Sequence, residues 1–83
     1  MHFKIISKNN NARVAELEIN GKKIKTPAFM TIGTYGAVKT LDVDDLKNCN
    51  VEIILSNAFH LMLRPGTNLI EKYGGLHKFM GWD

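Results

Sequence analysis

Pro27-Ala28-Phe29-Met30-Thr31-Ile32-Gly33 and Glu52-Ile53-Ile54-Leu55, with Asp42-Val43-Asp44-Asp45-Leu46-Lys47-Asn48-Cys49 between them, set the structural class of this chain. Ala28 to Ile32 and Glu52 to Leu55 are mostly apolar runs of strand length, a pattern that predicts burial on both faces. The segment between them gathers Asp42, Asp44 and Asp45 at its start, where the dipole of a helix favours negative charge, and so predicts a short helix. Strand, helix and strand in this order form a βαβ unit, which requires parallel strands and a right-handed crossover. The predicted class is α/β.

Working toward the amino terminus, Arg13 to Ile19 alternates, with Ala15, Leu17 and Ile19 on one face and Glu16 and Glu18 on the other. Asn20-Gly21 and Lys22-Lys23-Ile24-Lys25 follow. This is a β-hairpin signature, because Asn-Gly supplies the two positive φ angles of a type I′ turn. Phe3 to Ile6 predicts one more strand, ended by Asn9-Asn10-Asn11, since Asn tolerates left-handed backbone angles. Toward the carboxyl terminus, Pro65-Gly66 opens a helix through Asn68 to Tyr73, Gly74-Gly75 stops it, and Leu76 to Met80 predicts a further helical turn. Two parallel strands with one crossover leave apolar outer edges unprotected, so the chain reads as the beginning of a larger α/β structure.

Composition narrows the class. Eighty-three residues leave room for one small domain, for which about 4 to 12 kcal/mol of net stability is expected. A net charge of +3 and a pI near 9.2 mildly favour anionic partners. The single cysteine, Cys49, can form neither an internal disulfide nor a Cys-rich zinc site, which argues against a secreted, disulfide-stapled scaffold. The first residues lack the continuous apolar core of a signal peptide, and no segment has the length of a membrane span. A cytoplasmic protein is expected.

Few residues stand out chemically. Gly33-Thr34-Tyr35-Gly36-Ala37-Val38-Lys39 joins a strand to a helix, where glycines and a lysine can cradle phosphate. It fits neither established glycine-rich phosphate motif, so a plain turn is the competing reading. Asn57, His60 and Arg64 follow the second parallel strand, and ligand groups collect at the carboxyl ends of such strands; simple hydrogen bonding within a loop is the alternative. His2, His60 and His77 are scattered without metal-ligand spacing. Lys22, Lys23 and Lys25 form a basic cluster on the hairpin, read as a solvated turn more readily than as an RNA contact. Phe29, Phe59, Tyr73, Phe79 and Trp82 lie in apolar runs and are expected in the core, as is Cys49. Asp42, Asp44 and Asp45 are explained as helix-start residues, and no pairing of nucleophile with base emerges.

Several strings go beyond generic pattern: Thr26-Pro27-Ala28-Phe29-Met30, Gly33-Thr34 with Val38-Lys39, Ile54-Leu55-Ser56-Asn57-Ala58-Phe59-His60-Leu61, Leu63-Arg64-Pro65-Gly66, and Gly74-Gly75-Leu76-His77-Lys78-Phe79-Met80. In order and spacing they resemble the amino-terminal segment of the bacterial tRNA-guanine transglycosylases, or queuine tRNA-ribosyltransferases. The resemblance runs from about Phe3 to Asp83. It implies a (β/α)8 barrel with an amino-terminal antiparallel sheet and a zinc-binding subdomain near its far end. Such a barrel takes roughly 250 residues, so this chain would supply residues 1–26 as the sheet segment and 27–83 as the first two βα units of an incomplete TIM barrel.

The same resemblance implies an activity: exchange of the wobble guanine of certain tRNAs for a 7-deazaguanine base, through attack of an aspartate on ribose C1′. It places Ile32 and Leu55 in the lining of the ribose and base pocket. Asn57 and His60 become polar groups supporting that pocket, and Lys39 a homodimer contact. Thr31 stands where the family commonly has proline, and Ser56, Ala58 and Phe59 replace its frequent Gly, Thr and Tyr. The family's catalytic aspartates, base-reading residues and zinc ligands have no counterpart among these residues, and Asp83 matches a position upstream of the first catalytic aspartate. No catalytic or metal residue is therefore assigned. The expected reading is the amino-terminal part of such an enzyme, inactive alone and completed by a second chain; the alternatives are a non-catalytic RNA-contacting subunit and a decayed gene product.

Overall fold

A computed structural model describes residues 1–83. Three antiparallel strands, β1 (His2–Asn9), β2 (Ala12–Ile19) and β3 (Lys22–Thr26), form one sheet in the order β1-β2-β3. Asn20 and Gly21 have φ of 49° and 77°, the paired positive angles that the Asn-Gly turn requires. Asn10, at φ 55°, turns the chain between β1 and β2. Opposite residues share a face, so Lys4, Glu16 and Lys25 lie in one row and His2, Glu18 and Lys23 in the next. The other face carries Phe3, Leu17 and Ile24 in one row. Near Ile6 the β1–β2 register shifts, which lets β1 run further than the apolar stretch alone predicts.

The second sheet is the parallel pair β4 (Thr31–Ile32) and β5 (Ile54–Leu55), with Thr31 opposite Ile54 and Ile32 opposite Leu55. Helix α1 (Val43–Asn48) crosses between them, followed after β5 by α2 (Ala58–Leu63), α3 (Thr67–Lys72) and α4 (Leu76–Met80). The chain is thus mixed α/β, with an antiparallel sheet and several helices. At the start of α1, Asp42 Oδ1 accepts from the Asp45 N–H at 2.7 Å while Asp45 Oδ2 accepts from the Asp42 N–H at 3.0 Å, a reciprocal capping box built from two carboxylates. Gly33 extends the parallel ladder by donating to the Leu55 carbonyl at 2.7 Å, and a Cβ on Gly33 would lie 2.9 Å from Ile54 Cγ2. Close approach, not a left-handed angle, is what requires glycine here.

Burial corrects several expectations. Only Ala15, Ile24, Gly33, Leu46 and Leu61 are buried. The Ala28–Ile32 run is a strand only at its last two residues, because β5 offers ladder partners only there. Ile32 and Leu55 remain 64% and 53% exposed, since a two-stranded parallel sheet has no further layer to cover it. Phe29 is 81% exposed, and Phe59 and Tyr73 are exposed as well; Phe79 and Trp82 are half-buried. Cys49 is exposed at the carboxyl end of α1 instead of buried. Asp83, which had no structural context in the sequence, meets Lys47 Nζ at 2.9 Å and ties the last residue to α1.

The shape agrees with these exposures. A compact monomer of this mass exposes roughly 5,000 Å², whereas this chain exposes 6741 Å². Its radius of gyration is 14.9 Å, against roughly 12 Å for a compact domain of this length. The extents of 46 × 26 × 20 Å describe an elongated body whose apolar faces are open. No helix is long and apolar enough to cross a membrane.

Candidate functional site

In a βαβ unit the segments that leave the two parallel strands emerge at the same end. Ile32 ends β4 and Leu55 ends β5, and as register partners they make an apolar floor there. Beyond β4 the chain turns through Gly33 to Lys39; beyond β5 it enters α2 directly. The polar candidates come from both segments, and two of them, Tyr35 and His60, meet.

Asn57 and His60 belong to a helix, where the sequence suggests either ligand groups or loop hydrogen bonding. Asn57 is the N-cap of α2, and its Oδ1 accepts from the N–H groups of Phe59 at 3.0 Å and His60 at 3.3 Å. Two orphan donors at the helix start are thereby satisfied, in the manner of an asparagine cap. Both partners are donors, so the amide oxygen is the atom that faces the helix and the NH2 group is left free to donate. Buried Leu61 anchors the same short helix from its inner face. Arg64 is the C-cap residue, with its backbone N–H bonded to the His60 carbonyl at 2.9 Å.

His60 is gripped from two sides. Tyr35 Oη lies 3.3 Å from His60 Nδ1, and the two rings meet edge to face at 5.5 Å and 70°. Phe59 makes a second edge-to-face contact with the imidazole at 5.8 Å and 71°. Tyr35 was not singled out in the sequence; the signal that could have found it is topological, because it lies in the segment leaving β4 and therefore at the same end as His60. Lys39 is exposed at the end of that segment and makes no ion pair. The Gly33 N–H is taken up by the strand ladder, donating to the Leu55 carbonyl at 2.7 Å, and the Gly36 N–H by the turn, donating to the Gly33 carbonyl at 3.1 Å.

The site is an open surface. Two cavities, of about 480 and 640 Å³, lie elsewhere, the first beside Thr31, Leu46 and Cys49 and the second beside Ile24, Ile54 and Trp82. Neither is lined by Ile32, Leu55, Asn57 or His60. Two apolar strand ends followed in the chain by an amide, a phenol and an imidazole offer groups that can hold a flat polar ring or a sugar by contact and hydrogen bonding. The hydrogen bonds around it involve no carboxylate, and Asp42 and Asp45 are engaged with each other at α1. No three His, Cys, Asp or Glu side chains come together as metal ligands would. On the hairpin, Lys23 pairs with Glu16 at 3.6 Å, and Lys25 and Lys23 lie opposite Glu16 and Glu18 across the strands.

A family profile described as queuine tRNA-ribosyltransferase matches residues 8–83. The chain belongs to the queuine tRNA-ribosyltransferase family. Proteins named queuine tRNA-ribosyltransferase from Herminiimonas arsenicoxydans, Buchnera aphidicola of Acyrthosiphon pisum (strain APS) and Francisella tularensis subsp. novicida are 49%, 50% and 53% identical to it over all 83 residues. Those residues correspond to 22%, 22% and 23% of the respective relatives, so the chain spans less than a quarter of their length. Ile32 and Leu55 end the two adjacent strands, Asn57 and His60 follow β5 at the start of α2, and Tyr35 follows β4.

Proposed function

We propose that this chain is the amino-terminal part of a tRNA-guanine transglycosylase, supplying one wall of the pocket in which wobble guanine is exchanged for a 7-deazaguanine base. The observation that carries the reading is the pairing of Ile32 with Leu55 at the carboxyl ends of β4 and β5, with Asn57 and His60 following directly on β5. Carboxyl ends of strands are where barrel enzymes place their reacting groups. In this reading residues 27–83 are the first two βα units of a (β/α)8 barrel and residues 1–26 its antiparallel cap. The uncovered faces of β4 and β5 and the excess surface are what an incomplete barrel leaves open.

The division of labour follows from the side chains. Ile32 and Leu55 exclude water from one side of the nucleotide, Asn57 and His60 donate hydrogen bonds, and exposed Lys39 meets a second copy at a dimer interface. None of these groups can attack ribose C1′. In this reading the nucleophilic aspartate, the base-reading residues and the zinc subdomain lie outside these 83 residues, which alone do not exchange guanine.

The test is incorporation of labelled guanine into tRNA by the purified chain, by a polypeptide equivalent to the remainder of a full-length relative, and by the two together. Exchange only in the mixture is the expected result. Exchange by the 83-residue chain alone, lost on replacing Asp42, Asp44, Asp45 or Asp83, would assign the nucleophile to this chain and end the reading.

A further inference from the structure

Tyr35 and His60 lie 25 positions apart, on the two segments that leave β4 and β5, yet their side chains meet. We propose that Tyr35 is a positioning residue: its hydroxyl donates to His60 Nδ1 and so leaves the imidazole proton on Nε2, as a directed donor for an acceptor oxygen of the nucleotide. The inference deepens the pocket reading and rests on it for the identity of the ligand.

Three observations carry it. A phenol is an effective donor, and an unprotonated imidazole nitrogen an effective acceptor, so the 3.3 Å contact runs from Tyr35 to His60 when the ring is neutral. The hydrogen bond made by one imidazole nitrogen decides what the other presents, here N–H at Nε2. Edge-to-face contacts from Tyr35 and Phe59 hold the ring from two directions, and the Asn57 cap fixes the first turn of the helix that carries it. The imidazole is therefore held in place before a ligand arrives, as a contact group at the end of a barrel strand needs to be.

The experiment labels the histidines with ¹⁵N in the 83-residue chain and in a fusion that continues past Asp83 with the remainder of the Francisella relative. His2 and His77, which make no side-chain hydrogen bond, serve as internal references. The expected result in the fusion is a His60 Nδ1 resonance displaced from theirs, because the hydrogen bond from Tyr35 fixes one tautomer of the ring while free imidazoles interconvert. Tyr35→Phe removes the displacement and lowers guanine exchange about fivefold, the equivalent of one hydrogen bond. Tyr73→Phe changes neither. A His60 resonance in the fusion that matches His2 and His77, or that Tyr35→Phe leaves unmoved, overturns the proposal. Unchanged exchange in His60→Ala would instead overturn the pocket reading, while the Nδ1 displacement would still decide whether Tyr35 holds the ring.

Discussion

Ile32 and Leu55 are opposite each other at the end of the parallel pair, and each keeps more than half of its surface in contact with water. Two aliphatic side chains so placed are neither a finished core nor a normal protein surface. Phe29, Met30 and Phe59 are exposed as well, and the sheet has an unpaired strand edge on either side.

The isolated chain should therefore bind a hydrophobic dye such as ANS and associate as its concentration rises, because open strand edges and apolar faces recruit other chains. Fluorescence together with sedimentation velocity measures both effects. A monomer at high concentration with sharp, dispersed amide signals and no dye binding would contradict this expectation.

Helix α1 depends on its first residue. Replacing Asp42 by Ala removes an acceptor 2.7 Å from the Asp45 N–H and should destabilise the helix by about 0.5–2 kcal/mol. Asp42→Asn, which keeps a capping oxygen, should lose much less. Circular dichroism of the two variants through a urea titration separates them, and equal losses would count against the capping box.

At Gly33 a methyl group has no room, since Ile54 Cγ2 stands 2.9 Å from where a Cβ would be. Gly33→Ala should separate β4 from β5 and cost about 1–3 kcal/mol, as other overpacking changes do. Adding Ile54→Ala to that variant removes the opposing methyl, so the double variant should lose less than the sum of the two single changes. Additive losses in denaturant would show that the two positions do not meet.

The Lys47 ammonium bonds to the Asp83 carboxylate and holds it below the ordinary value of 3.8. A carboxyl group whose folded value is depressed stabilises the fold above its unfolded value, and that stabilisation disappears as pH falls through the folded value. Both groups are exposed, so the contribution is small and screened by salt. Carbon NMR of Asp83 should show a midpoint below 3.8 that rises in Lys47→Met and in concentrated salt; a midpoint indifferent to both would separate the pair.

Asn57 allows capping to be distinguished from ligand contact. In a completed enzyme, Asn57→Ala and His60→Ala should lower guanine exchange more than Lys23→Ala, whose side chain sits on the hairpin beside Glu16. Asn57→Asp keeps the oxygen that caps α2 but lacks the NH2 group, so it should retain helicity while exchange falls. If exchange tracks helicity alone across these variants, Asn57 acts only as a cap.

Local rules were enough to read much of this chain directly. Asn20-Gly21 carries its own turn geometry, the aspartates at Asp42, Asp44 and Asp45 mark a helix start through the backbone dipole, and the order of apolar runs requires a parallel crossing. Helix α2 was missed because its start signal, Asn57, serves equally as a loop residue and a ligand group; only the positions of Phe59 and His60 show which donors its oxygen meets. The cluster at the strand ends was half legible. Asn57 and His60 could be named from their place after a strand, but Tyr35 is 25 residues away from its partner, and no local pattern records that separation. Tertiary structure alone decided that Cys49, Phe29 and Phe59 face water, and that Asp83 reaches Lys47. An apolar side chain states a preference for burial in the sequence, whereas burial itself needs a second surface, and which surfaces meet is fixed only when distant segments pack.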